Sequence, residues 1–264
     1  MDGECSIGLL VQETAAAALS GPGLATSLAS LGSRLIDYGA QREGPESLRT
    51  LRQESTQAFE AFSKTCPRRL RHAFRRLLVR VERTRQEWNR IGKPLSTVAI
   101  ASPRAGAGRS FLARNLAAEL SLGESARVLL VEADTANPSF SSAFGVGASQ
   151  GLRDALSSPD WRPCLSRVDE TGLFILPLGG NQGTLAELAA DGRLARFAEQ
   201  ASRRFDWVIF DGPSLESSDG ELLARHCDGV IVVLETDPGS VEGAREAVAK
   251  IEADRLVGMV LNRT

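Results

Sequence analysis

The chain has 264 residues, 42% hydrophobic and 24% charged, with a formal net charge of −2. That composition supplies a core for one or two domains and excludes a disordered or collagen-like polypeptide. With 31 basic against 33 acidic residues there is no global field to draw the molecule onto nucleic acid or an anionic membrane, and neither is expected as a direct partner. Lysine occurs only at Lys64, Lys93 and Lys250, every other basic residue being arginine, and Tyr38 is the sole tyrosine. Cys5, Cys66, Cys164 and Cys227 are widely spaced with no CxxC pair, as expected of reduced, idle thiols. No run approaches the roughly 18 to 20 apolar residues of a membrane span, and the chain starts with Asp2 and Glu4 rather than a basic leader. A cytoplasmic protein is expected.

In chain order, residues 1–65 form an extension. Its first 40 residues are rich in Ala, Ser, Gly and Leu and are interrupted by Gly21, Pro22, Gly23, Gly32 and Gly39, so short helices or partial disorder are expected. From Glu46 to Trp88 the chain is Arg-rich, with Phe59, Phe62, Leu70, Phe74, Leu77, Leu78 and Val81 at helical spacing, which predicts one or two amphipathic helices. An Arg-rich helix is set at 66–92. Its arginines read as a solvated face or as a docking face for an acidic partner or a second protomer.

After Gly92 and Pro94 the pattern changes. Short β-branched runs at 97–101, 127–133, 173–178, 206–211, 229–235 and 256–262 alternate with helical periodicity at about 110–122, 184–203, 219–226 and 241–253. Strands alternating with helices predict an α/β domain over 93–264, a mostly parallel sheet with helices on both faces. Several runs are apolar throughout, as expected of strands covered on both sides.

The first of these runs leads straight into SPRAGAGRS (102–110) and then a helix. A glycine-bearing turn between strand and helix aims backbone N–H groups and the positive end of a helix dipole into one concavity, a ready site for phosphate. Gly106 and Gly108 allow the tight approach. Ser110 stands where a P-loop hydroxyl meets Mg2+, and the residue before it, normally lysine, is Arg109. Arginine keeps the charge but replaces a compact ammonium with a larger planar fork. Two other runs end in acids: Glu132 and Asp134 point the same way off one strand, and Asp211 precedes Gly212 and Pro213. Carboxylates at that edge can hold Mg2+, accept a proton or orient water.

The order of these motifs resembles the MinD/ParA-type P-loop ATPases, and most closely their bacterial tyrosine kinase branch, over about residues 72–264. SPRAGAGRS is similar to the family's Walker A motif, VLLVEADTANP (128–138) to its Walker A′ and FDWVIFDGP (205–213) to its Walker B. HAFRRLL (72–78) resembles a worn form of the helix through which the family self-associates. The resemblance implies a P-loop NTPase-like fold, ATP and Mg2+ as cofactors, and nucleotide contacts from Ala105, Gly106, Ala107, Gly108, Arg109, Ser110, Phe111 and, near adenine, Asn262. It implies Ser110, Asp134 and Asp211 around the metal, with Glu132, Asp134 and Asp211 as the catalytic acids. The partner it implies is the cytoplasmic end of a membrane polysaccharide co-polymerase, with membrane contact only through that partner and homo-oligomers as a further possibility.

The departures concern chemistry. Arg109 replaces the Walker A lysine, Arg104 a second lysine of MinD/ParA relatives, and Glu132 the first Walker A′ aspartate, while the tyrosine cluster of the family's autokinases has no counterpart after Tyr38. Three readings follow. The first is an ATP- and Mg2+-binding, kinase-like regulator of exopolysaccharide or capsule assembly with weak or partner-directed transfer. The second is an inactive pseudokinase scaffold of the same complex, and the third a MinD/ParA-like positioning ATPase.

Overall fold

The computed structural model describes residues 6–11, 68–122, 126–140, 150–168, 171–180, 184–235 and 240–263. The strands are β1 (Ser6–Val11), β2 (Thr97–Ala101), β3 (Val128–Glu132), β4 (Ser166–Arg167), β5 (Leu173–Leu176), β6 (Trp207–Asp211), β7 (Gly229–Glu235) and β8 (Leu256–Arg263). The helices are α1 (Arg68–Arg90), α2 (Arg109–Ser121), α3 (Leu152–Ser157), α4 (Leu185–Leu188), α5 (Arg193–Ser202), α6 (Ser218–His226) and α7 (Ser240–Ala249).

One sheet carries the order β1-β8-β7-β2-β6-β3-β5-β4, parallel from β8 to β5 and antiparallel at its two edges. The residues of β2, β3 and β6 are all buried, because helices cover both faces. Alternation along each strand divides the core. Val98, Ile100, Leu130 and Ile209 meet Phe74, Leu77 and Val81 of α1 and Leu112 and Leu116 of α2. Ala99, Leu129, Val131, Val208 and Phe210 meet Leu152 of α3, Phe197 of α5, Leu223 of α6 and Ala244 of α7. The three layers place the carboxyl ends of β7, β2, β6 and β3 side by side along one sheet edge, where ligands of open α/β folds bind.

The six predicted strands stand in their predicted order. The N-terminal extension departs from expectation at one point: residues 6–11, expected as helix or disorder, form β1, whose Ser6 pairs with Arg263 and Val11 with Gly258. The short apolar run at 7–11 was the available local signal, and pairing with a distant edge strand decides the segment. The remainder of 1–65, with Phe59 and Phe62, lies outside the described residues. The Arg-rich segment forms α1, which buries Ala73, Phe74, Leu77, Val81 and Trp88 in the same core layer as α2, so it packs as part of the α/β unit. Arg75, Arg76, Arg80 and Arg83 lie on its solvated face. The helix expected at 184–203 is broken, because Asp191 and Gly192 take left-handed φ of 60° and 71° and divide α4 from α5. Among the described residues no helix is long and apolar enough to cross a membrane.

Candidate nucleotide site

β2 ends at Ala101, and the loop 102–108 turns the chain into α2. Gly106 and Gly108 have φ of 92° and 91°, a region L-residues rarely enter. At Gly108 the space is closed as well, since a Cβ would stand 2.2 Å from Asn262 Nδ2. That amide donates to Ala107 O at 2.9 Å, so β8 pins the loop from beneath. Gly108→Ala is therefore expected to lower stability by about 1–3 kcal/mol, with Asn262 displaced. A melt within 1 °C of wild type would contradict this packing.

Arg109 turns inward. Its guanidinium is buried and bonds to the ends of three adjacent strands: Nη1 donates to Ser102 Oγ and to Arg104 O (2.9 Å) after β2, Nη2 to Asp134 Oδ2 (2.8 Å) after β3, and Nε to Gly212 O (2.8 Å) after β6. Lysine could not reproduce this, because one ammonium cannot reach four acceptors spread around a plane. The two lysines among the described residues are engaged with other groups. Lys93 lies 4.4 Å over the Trp88 ring and binds Asp254, and Lys250 donates to Leu215 O at 2.6 Å.

The acids fare differently from one another. Glu132 is buried, with Oε1 accepting from the amides of Ser139 and Phe140 (2.7 Å) and Oε2 from Leu178 N (3.0 Å). Its carboxylate ties the loops after β3 and β5 together. Asp134 is also buried; Oδ1 accepts from the amides of Ala136 (3.1 Å) and Asn137 (3.2 Å), and Oδ2 holds Arg109. Asp211, in register with Glu132 and next to it across the sheet, is 1% exposed, and its Oδ1 has no hydrogen-bond partner. Burial pushes its pKa up to about 7, against a hydrogen bond with Ser110 and the nearby Arg109 charge.

The remaining predicted residues are distributed around the loop. Ala105 and Gly106 are exposed at its tip, Ser110 is half-buried beside Asp211, and Ala107 sends its methyl into the core, leaving only its backbone for a ligand. The Phe111 ring packs 6.1 Å from Phe74 on α1. Asn262 holds the loop, as described.

Three residues of the site were not read from the sequence. Arg114, one turn past Ser110, donates Nε to Ser110 O at 3.0 Å. Burial lowers its pKa from the ordinary value, while the charges of Asp211 and Glu132 raise it. An arginine among the buried positions Leu112, Ala113, Asn115 and Leu116 of α2 was the available signal. Glu235 closes the other flank, its Oε1 3.5 Å from where a Cβ on Gly106 would stand. Asp219 accepts from Leu185 N (2.7 Å), Ala186 N (2.9 Å) and Thr135 Oγ1 (3.1 Å), locking the start of α4 to the segment after Asp134.

A phosphate group fits the loop, where the open N-terminus of α2 is capped by Gly108 with no side-chain cap. A divalent cation fits only in part. Ser110 and the orphaned Asp211 Oδ1 are suitable donors, whereas Asp134 is spent on Arg109 and two amides. Among the described residues no three His, Cys, Asp or Glu side chains converge as a metal cage.

A family model described as cellulose biosynthesis protein BcsQ matches residues 95–250, more than half of the chain and the whole stretch from β2 to the end of α7. The chain belongs to the BcsQ family. The matched BcsQ region carries the loop, Arg109 and all three acids, while Asn262 lies beyond it. Curated relatives include the tyrosine-protein kinase YwqD of Bacillus subtilis, 29% identical over 69% of this chain and 78% of its own length. Another is the tyrosine-protein kinase CpsD of Streptococcus agalactiae, 29% identical over 65% of this chain and 76% of its own length. The succinoglycan biosynthesis transport protein ExoP of Rhizobium meliloti is 29% identical over 66% of this chain, which spans 23% of that longer protein. Among solved structures, the chimerical protein CapA2B2 superposes with a TM-score of 0.66 at 20% identity, covering 78% of this chain and 89% of its own. The kinase domain of Escherichia coli ETK does so at 0.63 and 18%, covering 83% and 94%. These likenesses bear out the P-loop NTPase-like fold and the resemblance to bacterial tyrosine kinases.

Proposed function

We propose that this protein is a nucleotide-binding regulator of bacterial polysaccharide assembly, in which the kinase-like site senses ATP and phosphoryl transfer is weak or absent. The Arg109 network carries the reading. Phosphoryl transfer depends on cationic groups that follow the charge developing on the transferred phosphoryl. Arg109 is instead spent on Asp134, Gly212 O, Ser102 and Arg104 O, and the Asp134 it holds is withdrawn from metal or proton chemistry. Glu132, with three amides on its two oxygens, acts as a clamp between loops rather than as a base.

Phosphate binding needs less. The glycine loop and the N-terminus of α2 are retained, and Ser110 with Asp211 are the residues that would meet a Mg2+ carried in by the nucleotide. A relative named as a succinoglycan biosynthesis transport protein and a family model described for cellulose biosynthesis support the polysaccharide setting. The partner in this reading is the cytoplasmic end of a membrane polysaccharide co-polymerase, which brings the protein to the inner membrane from the cytoplasm. A second reading, transfer directed at such a partner, is favoured by the surviving Ser110–Asp211 pair. Calorimetric titration of the full chain with ATP is expected to show one site, weakened by Ser110→Ala; no binding with or without Mg2+ would overturn the reading in favour of a scaffold.

A further inference from the structure

We infer that two guanidinium groups of the chain, Arg109 and Arg114, fill the cationic role at this site, so that it takes nucleotide phosphate with little help from a divalent metal. The inference rests on nucleotide binding at the loop and concerns what balances the charge there.

Three carboxylates, Glu132, Asp134 and Asp211, are buried at adjacent strand ends. Clustered buried acids require compensation, because desolvated negative charge is costly unless paired and hydrogen-bonded. In most phosphate-loop sites an incoming metal supplies part of that compensation. Here the chain supplies it. Arg109 contacts Asp134 at 2.8 Å with side chains 7% and 4% exposed, a pair shielded from solvent. Arg114 stands one turn along α2, anchored on Ser110 O, with Asp211 and Glu132 as its charged neighbours. Backbone amides take the remaining lone pairs of Glu132 and one oxygen of Asp134.

Asp211 is thus the acid left for a metal, and it lies within the fields of both arginines. A divalent cation arriving at Ser110 and Asp211 would meet one carboxylate not already balanced, since Arg109 holds Asp134 and backbone amides with Arg114 serve Glu132. An anionic phosphate would meet the loop amides and the open N-terminus of α2, which need no metal. The chain's own guanidinium groups thus take over most of the compensation that a metal would give the acids.

The test uses the full chain and ADP as probe, titrated in excess EDTA and again in excess Mg2+. For wild type the two dissociation constants are expected to agree within about threefold. In Arg114→Gln, with a positive charge removed beside Asp211, Mg2+ is expected to tighten binding by about tenfold or more. Tenfold tighter binding by Mg2+ in the wild type itself would overturn the inference, whatever the variant does. Direct Mn2+ uptake in the absence of nucleotide, read by electron paramagnetic resonance, provides the second arm. The expectation is no site for wild type at about 1 mM Mn2+ and one site for Arg114→Gln. A wild-type Mn2+ site would overturn the inference. If ADP binds under neither condition, the nucleotide reading fails, and the Mn2+ arm alone then decides whether the arginines have replaced the metal.

Discussion

Replacing Arg109 with alanine is expected to destabilise the protein by about 3–5 kcal/mol, because it leaves the buried Asp134 carboxylate without its charge partner. The same change removes the donors to Gly212 O, Arg104 O and Ser102 Oγ, so three strand ends lose a common tie. In an ordinary phosphate-loop enzyme the equivalent truncation empties a ligand site and leaves the apo fold largely intact. Here the residue belongs to the core. The ion pair can be isolated by a double-mutant cycle in urea: Arg109→Ala and Asp134→Ala should couple by about 1–3 kcal/mol, whereas effects that add within about 0.5 kcal/mol would show that the pair contributes nothing. Arg109→Lys should recover only part of the loss, since the ammonium can satisfy Asp134 but not the carbonyls around the guanidinium plane.

The opposite sign is expected at Asp211. Its carboxyl titrates near 7 in the fold and near 3.8 when free, so between those values the folded protein holds a proton that the unfolded chain has released. Stability left intact below about pH 4 is therefore drained as pH rises through 7, by on the order of 4 kcal/mol for a shift of this size. Asparagine keeps the shape and the contact with Ser110 without the buried charge. Asp211→Asn should melt well above wild type at pH 8 and about level with it near pH 4.5. A variant that melts lower at pH 8 would mean that Arg109 and Arg114 stabilise the ionised acid more than burial opposes it. A residue whose removal strengthens the fold is the mark of a site retained for binding rather than for packing.

The sheet was legible because its central strands are buried on both faces and leave uninterrupted apolar runs, such as Val128–Val131 and Trp207–Phe210, between polar boundaries. Strand β1 was not, because its place is set by register with β8 across the length of the chain. At the site, sequence spacing located Arg109, Ser110, Glu132, Asp134 and Asp211 at one sheet edge, and the structure brings them together there. It could not give direction. Whether Arg109 faces a ligand or folds back depends on the carbonyls of Arg104 and Gly212, the second 103 residues away in the chain. Glu132 invited a catalytic reading for the same reason: its partners at Ser139, Phe140 and Leu178 carry no side-chain signature, being backbone amides. Lysine scarcity now has a structural counterpart, since Lys93 and Lys250 are engaged with Asp254 and Leu215 O, and arginine at 109 makes contacts lysine cannot.

Single-turnover transfer from γ-labelled ATP, with the full chain in excess over nucleotide and a cytoplasmic co-polymerase segment present, tests the regulator reading most directly. The expected result is bound ATP whose label stays on the nucleotide far longer than the ~1–100 s−1 turnover of kinases allows. Label moving to protein at such rates, abolished by Asp211→Ala, would contradict it.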